Sequence, residues 1–376
     1  GKNLGKNLYI FYAYFPILHE RVFLEKYSRS YRELTAPLLA AIYSLALQWW
    51  EFHPQLVGFP KPDVVEQLNE IALRTFFDVV ERPKLSIVQT GLLILQCRSE
   101  CPNNWVICSE VVALAEDLGL GVDCQDWRLP RWERGLRRRL AWAVWTQDKW
   151  LSLMESRHSH LILGRNWLVK MLAEDDFPDK SPVISSSQNG SNANGISSVN
   201  RASPIGNISM LDLSPTDEDF DSGKMLFQQM VSLSIILGEI LDTFYTLGAI
   251  KTTNKIEQVL KLAKPLQLKL REWYHSLPSQ LSMNNFQARK LNSNAALTLA
   301  YFAAEITLHR KIISTLKPET PKELVQVCRT AAKTRLIAAI EFIRDLKTEH
   351  INSFWYTCST GNLTLIGTFA ALLYVT

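Results

Sequence analysis

The sequence predicts an all-α protein, a large multi-helix bundle with a flexible Ser/Asn-rich insert. Three observations carry this reading. Apolar residues recur at three- and four-residue spacing through most of the chain, which is the helical period. Prolines and glycines fall between those stretches, where helices start and stop. Alternating apolar and polar runs that would mark strands are absent. The 376 residues are 47% apolar, 21% charged and 10% aromatic, which excludes disorder throughout and supplies ample mass for a core.

Near the start, Tyr9, Phe11, Tyr12, Tyr14 and Phe15 lead to Pro16 and then to a short helical pattern through Val22, Phe23 and Tyr27. Thr35 as N-cap and Pro37 in the first turn open a helix with Leu38, Ile42, Leu45 and Trp49 on one face. Pro54, Pro60 and Pro62 then break the chain. Asp63 with Glu66 resembles a capping box, ahead of a helix through Val65, Leu68 and Phe76 that ends before Pro83. Ser86 is read as the cap of the next helix, from Ile87 to about Cys97. Another follows Pro102 and stops at Leu118-Gly119-Leu120-Gly121, where glycine accepts left-handed backbone. Pro130 begins the longest segment, Arg131 to about Glu155.

From about Pro178 to Gly223 the composition turns to Ser, Asn, Gly and Pro, with too little apolar area to offset the entropy of ordering. The predicted organisation is a first helical half over residues 1–177, a flexible linker over 178–223, and a second helical half over 224–376 packing on the first. Helices are expected there at about 224–248, 254–276, 290–316, 321–348 and 362–375, with Pro265 kinking or restarting the second.

Charge and cysteines narrow the function. Forty-one Lys and Arg against 37 Asp and Glu leave +4, too little to support nucleic-acid binding by bulk charge. The six cysteines, at 97, 101, 108, 124, 328 and 358, are unevenly spaced, and several fall inside helical apolar patterns. That pattern favours reduced, buried thiols of an intracellular protein over a disulfide scaffold or a zinc site. No secretion signal is visible, and Leu363–Val375 is short and interrupted for a spanning helix, so a buried helix and no membrane partner are expected. The chain begins at Gly1 without an initiator Met and stops inside an apolar run, which reads as a fragment of a longer protein.

Candidate chemistry is sparse. Asp175, Asp176 and Asp179 satisfy the DDxxD pattern of magnesium-dependent prenyl-diphosphate enzymes, the alternative function to be weighed. That chemistry needs carboxylates on one face of a continuous helix. Pro178 interrupts it and no second metal motif follows, so a solvated acidic loop is expected. His158 with His160, and Glu305 with His309, lack a third ligand or a nucleophile and are expected at the surface or at helix ends. Gly119-x-Gly121 follows a helix, which excludes a dinucleotide loop. Arg128, Arg131, Arg134, Arg137, Arg138 and Arg139 form the one basic cluster; the small net charge favours a solvated face with ion pairs to Glu133 or Asp148 over phosphate binding. Of the 11 tryptophans, Trp49, Trp142, Trp145 and Trp273 occupy apolar helical positions and are assigned to the core. Trp50, Trp105, Trp127, Trp132 and Trp167 lie off those stripes and are the candidate contacts for an effector or a partner. No catalytic or metal-ligating residue is assigned.

The run Arg137-Arg138-Arg139-Leu140-Ala141-Trp142, then Trp145, Asp148-Lys149 and Leu163-Gly164-Arg165, resembles the central signature of the fungal-specific transcription factor regulatory region. That is the middle homology region of zinc binuclear cluster activators. Tyr14-Phe15-Pro16-Ile17-Leu18-His19, Val88-Gln89-Thr90, Ala113 to Gly121, and Trp273-Tyr274 before Leu277-Pro278 agree in order, so the resemblance spans residues 8 to 376. Asn166 departs from it, standing where the family usually has Pro.

The resemblance implies an all-helical, non-enzymatic domain that regulates RNA polymerase II transcription in the nucleus. Its partners would be other transcription activators or co-regulators, with a small-molecule effector as a further reading. Arg138, Arg139, Trp142, Asp148, Lys149, Gly164 and Arg165 would be its motif positions, of which Arg138, Arg139, Asp148 and Arg165 are expected to fix the first half through charge-assisted pairs or helix-end contacts. The pattern from Ser99 to Gln125 is most similar to co-activators of nitrogen-source use, covering GABA, urea and allantoin catabolism. No cofactor is implied for this chain. The six-cysteine zinc cluster is missing from it, so DNA contact would run through an upstream domain.

Overall fold

The computed structural model describes residues 12–178 and 216–375, apart from 53–55, 57, 79–80, 82 and 289. Most of the expected linker therefore lies outside the described residues, as does Asp179. The first half contributes helices α1 (Glu20–Arg29), α2 (Ala36–Ala46), α3 (Val65–Asp78), α4 (Leu85–Cys97), α5 (Asn104–Asp117) and α6 (Arg131–Met154). The second contributes α7 (Asp217–Phe244), α8 (Leu247–Thr252), α9 (Ile256–His275), α10 (Asn294–Thr315), α11 (Lys322–Arg344), α12 (Thr348–Ile351) and α13 (Cys358–Val375). Extended pairing among the described residues amounts to two isolated bridges, Val122 with Leu168 and Leu163 with Trp167. The protein is all-α.

Two helices organise the packing. Every residue of α6 from Arg139 to Ser152 is buried, so this segment has no solvated face and each polar side chain in it needs an internal partner. It packs against α4, α5, α7 and α13. In the second half α10 is the equivalent, buried continuously from Asn294 to His309, with Ala295, Ala296, Ala300, Ala303 and Ala304 letting α7, α9, α11 and α13 approach closely. Helix α7 touches both organisers, and one apolar cluster runs through the two halves.

The N-terminal stretch Tyr12–Leu18 is buried and threaded between these layers. Its carbonyls are held from three directions: Tyr356 Oη donates to Tyr14 O at 2.7 Å, Gln89 Nε2 to Ile17 O at 2.8 Å, and Arg139 Nη1 to Pro16 O at 2.6 Å. A Cβ at Gly223 of α7 would lie 2.4 Å from Ala13 O, so this helix reaches the strap only without a side chain.

Four local expectations are corrected. Ser86 lies inside α4, whose N-cap is Lys84; its carbonyl accepts the Thr90 hydroxyl. Helix α7 begins at Asp217 rather than Lys224, because Thr216 and Asp219 form a reciprocal capping box within the polar stretch. Pro265 does not restart α9, which runs unbroken through it; the position is exposed, and so is Lys261 one turn earlier, whose carbonyl loses its intrahelical donor. Helix α13 starts at Cys358 and buries only one stripe, including Ile366 and Phe369, while Leu363, Tyr374 and Val375 are exposed.

Candidate functional site

The described motif residues converge on the buried stretch of α6 and the loop that follows it. Asp148 and Lys149 are both fully inaccessible, with Lys149 Nζ 3.7 Å from Asp148 Oδ2. The loop folds back over them. Asp148 accepts from the His160 backbone N–H at 3.0 Å, from the Leu161 N–H at 3.2 Å and from the Ser159 hydroxyl, and its Oδ1 lies 3.0 Å from His160 Nδ1. Lys149 donates to Ser159 Oγ and to Leu161 O, and its ammonium sits 4.0 Å from the centre of the Trp145 ring. Burial alone would raise the Asp148 pKa; the hydrogen bond from His160, the Lys149 charge and the Ser159 hydroxyl outweigh it, and the carboxyl is held below its ordinary value. Burial lowers the Lys149 pKa, against the pull of Asp148 and Asp242.

Two turns from the helix start, Arg138 forms a fork. Its Nε and Nη2 donate to the two oxygens of Asp123 at 3.2 and 3.1 Å, and its Nη1 donates to Asp176 Oδ1 at 2.9 Å. Asp123 also accepts from the Gln125 and Lys170 amides, and Asp176 from the Ala173 amide, so the connections before and after α6 meet on one guanidinium. Arg139 is 1% exposed and has carbonyls rather than a carboxylate as partners, Pro16 O at 2.6 Å and Leu18 O at 3.2 Å. Trp142 is buried and donates Nε1 to Lys170 O at 2.8 Å. Of the two acids expected to pair with the arginine cluster, Glu133 does so through Arg137, while Asp148 is corrected: Arg138 pairs with Asp123 and Asp176, and Asp148 with Lys149 and His160.

Gly164 and Arg165 lie apart from this seam. Gly164 takes a left-handed φ of 76° in the turn that brings the chain back at Trp167, and its N–H donates to Trp167 O. The Arg165 side chain is exposed, unlike Arg138, Arg139 and Asp148, whose charge-assisted contacts are buried or partly buried. Asn166 does more than replace a proline: it accepts from the Ile162 N–H and donates to Glu116 and to His160 O, bracing the turn.

The described part of the acidic motif lacks the continuous helical face that a magnesium-diphosphate site needs. Glu174–Asp176 is a single 3-10 turn, not a continuous helix, and the Asp176 carboxylate is consumed by Arg138 and the Ala173 amide. The solvated loop expected there is corrected at Asp176, which is 4% exposed. Among the described residues no group of three or more His, Cys, Asp or Glu side chains could hold a metal ion. All six cysteines are free; Cys97 and Cys101 are half-buried and the other four buried.

His160 and Glu305 with His309 also differ from expectation. Asp148, His160 and Ser109 stand in line, His160 Nε2 lying 3.1 Å from Ser109 Oγ, a Ser-His-Asp order that 51 residues of sequence separation hides. The rest of an acyl-transfer site is missing. The Ser109 hydroxyl donates to Trp105 O at 2.9 Å, its backbone N–H is inside the α5 ladder rather than free to hold an oxyanion, and the Trp105 ring stacks on His160 at 4.4 Å. Glu305 and His309 are buried on α10, at 9% and 7% exposure, not at the surface. Burial, with Arg335 adding to it, pushes the His309 pKa down to about 4.

The five candidate tryptophans do not converge. Trp167 is fully buried and belongs to the core, where its ring lies 3.0 Å from any Cβ placed on Gly121. Trp50 donates to Phe59 O, Trp105 stacks on His160, Trp127 lies under the Arg137 guanidinium, and Trp132 packs edge-on against His19. These are four separate places, each already occupied by a neighbour of the same chain.

Comparison with known proteins agrees with this geometry. The model of the fungal specific transcription factor domain matches residues 7–275. The transcriptional activator protein DAL81 of Saccharomyces cerevisiae is 71% identical over 372 residues, 98% of this chain and 38% of its own length. An uncharacterized transcriptional regulatory protein of Schizosaccharomyces pombe is 28% identical over 253 residues, 66% of this chain and 33% of its own. Activator of stress genes 1 of S. cerevisiae is 25% identical over 303 residues, 77% of this chain and 28% of its own. The chain thus spans about two fifths or less of these relatives. No solved structure matches it. The matched region holds the N-terminal strap, the Arg138 fork and the Asp148–Lys149 seam in one unit, and the chain belongs to the fungal specific transcription factor domain family.

Proposed function

We propose that this chain is the regulatory domain of a fungal activator that works in the nucleus on RNA polymerase II transcription of nitrogen-catabolic genes, and that it is not an enzyme. The observation that carries the reading is 71% identity over nearly the whole chain to a protein named as a transcriptional activator. The similarity of the Ser99–Gln125 region to nitrogen-source co-activators supports the narrower assignment. The buried polar groups support the non-enzymatic role: among the described residues, Asp148, Lys149, Arg138 and Asp176 spend their charges on one another and on loop amides. Contact with other activators or co-regulators would use the surface of this scaffold. DNA contact would use a zinc-cluster domain outside the chain, since its cysteines lack the required paired spacing.

The test is replacement. Residues 1–376 are substituted for the matching segment of the DAL81 relative in cells lacking that activator, with reporters driven by nitrogen-catabolic promoters. Restored induction supports the proposal. A chimera present at the parent's level that leaves these reporters silent removes it.

A further inference from the structure

Where the C-terminal end of α6 meets α5, α10 and α13, the structure holds a cavity of about 380 Å³. Its lining combines apolar side chains such as Leu95, Leu151 and Leu365 with hydroxyls and three carboxamides, Asn104, Gln147 and Asn362. Asn362 is 1% exposed, and neither its Nδ2 nor its Oδ1 has a hydrogen-bond partner. Its polar neighbour is the Cys358 thiol, and sulfur is a weak partner. Asn104 is 4% exposed; its Nδ2 donates to Arg98 O, but its Oδ1 is unpartnered. Gln147, 8% exposed, adds the third amide from α6. Buried amides normally find partners, and two bordering one cavity, Asn362 with both atoms unmet and Asn104 with its oxygen unmet, mark a place for a molecule that supplies them.

A second observation comes from the backbone. Glu100 (φ 56°), Asn103 (φ 68°) and Ser156 (φ 52°) are the non-glycine residues with left-handed backbone among those described. Glu100 and Ser156 line this cavity, and Asn103 precedes Asn104. Such conformations are unfavourable for residues with a Cβ and gather at binding sites, where the surroundings hold them in place.

We propose that this cavity binds a small neutral molecule carrying a carboxamide or ureido group. An amide with both hydrogen-bonding atoms unmet is matched by a ligand with an adjacent N–H and C=O, which closes a paired set of bonds. The inner wall carries no charge, so a carboxylate or ammonium placed there would lose its hydration without gaining a counter-ion. The charged lining groups Arg310, Glu100 and Glu155 are all exposed, and acids outnumber the one base. The volume suits a metabolite-sized molecule.

The test is calorimetric titration of the 376-residue chain with hydantoin and with succinamide, with succinate as the charged control, alongside thermal unfolding. Saturable binding of at least one amide, with succinate inert, is expected. Asn362→Leu should weaken that binding at least tenfold while melting at or above the parent temperature, since it removes an unpaired buried amide. If Asn362→Leu fails to fold, Gln147→Leu is read for binding alone, with the same tenfold loss expected. No saturable binding of either amide, preference for succinate, or unchanged affinity in the folded variant would overturn the proposal and leave a water-filled cavity. The titration reads binding alone, so it stands or falls separately from the transcriptional role.

Discussion

His160 Nδ1 lies 3.0 Å from Asp148 Oδ1, and through this contact one fully buried carboxylate ties the loop after the central helix back onto the helix itself. The same carboxylate balances Lys149, which has no access to water. Replacing Asp148 by Asn keeps the shape but leaves a buried ammonium without its nearest counter-charge. Breaking a buried pair in this way costs about 3–5 kcal/mol. The expected outcome for Asp148→Asn is a guanidinium midpoint lowered by that amount of stability, with the 156–162 loop more open to proteolysis. A midpoint equal to the parent's would show that Lys149 is compensated elsewhere, Asp242 being the nearest candidate.

Asp176 and Asp175 are adjacent and should behave oppositely. Asp176 is 4% exposed and bonded to Arg138 and Ala173, whereas Asp175 is exposed. Asp176→Asn should cost several kcal/mol as Arg138 loses part of its buried fork, on the order of 3 kcal/mol; Asp175→Asn should fall within about 0.5 kcal/mol of the parent, as surface changes do. Gly135→Ala on the facing helix should resemble the first, because its Cβ would lie 2.5 Å from Asp176 O and the backbone there must move. Thermal melts of the three variants check the ordering. Equal losses at 175 and 176 would contradict the assigned pairing.

The helices themselves were legible in the sequence because apolar period and proline punctuation are local signals. The boundaries that failed did so for local reasons too: Thr216 and Asp219 cap each other inside a stretch whose composition reads as linker, and the exposed position of Pro265 lets α9 continue. The site was legible only as a set of positions. That Arg138, Asp148 and Lys149 matter follows from the motif, but their partners Asp123, Asp176, Ser159 and His160 come from loops whose return to α6 no periodicity encodes. Exposure was misjudged where polarity misled: Glu305, His309 and Asp176 are buried, and Trp167, read as a candidate effector or partner contact, is core. The cavity amides gave no signal at all, since Asn104, Gln147 and Asn362 lie far apart in sequence and meet only after α13 packs on α6.

Trp142 and Trp132 separate the two uses of the indole. Trp142 is 1% exposed and donates to Lys170 O, so Trp142→Ala removes a large buried ring and should cost about 3–5 kcal/mol. Trp142→Phe, which keeps most of the ring and loses the hydrogen bond, should cost less, with about 1 kcal/mol from the bond itself. Trp132 is 43% exposed, packed only edge-on against His19, and Trp132→Ala should change stability far less than Trp142→Ala. Denaturant melts of the three variants give the ordering directly. A Trp132 variant as damaged as the Trp142 one would place its ring in the core.

Acid should weaken the fold before the carboxylates titrate, and His309 is the reason. Its ring is buried on α10 close enough to Arg335 to feel that charge, and its pKa falls from 6.5 to about 4. The folded state therefore binds fewer protons than the unfolded chain between those values. A group depressed in this way contributes stability that is complete above the unfolded pKa and is lost as pH falls toward the folded one. The shift corresponds to about 3 kcal/mol as an upper bound. Asp148, also depressed, adds its loss at lower pH, below the ordinary carboxylate value of about 3.9. Glu305, one turn away, is raised by burial and acts with the opposite sign, losing stability as pH rises above its unfolded value. The expected profile is a decline in denaturation free energy from pH 6.5 to 4 in the parent, and a flatter profile over that window in His309→Leu, whose side chain has no proton to take up. An unchanged slope in a folded His309→Leu would assign the acid sensitivity to another histidine.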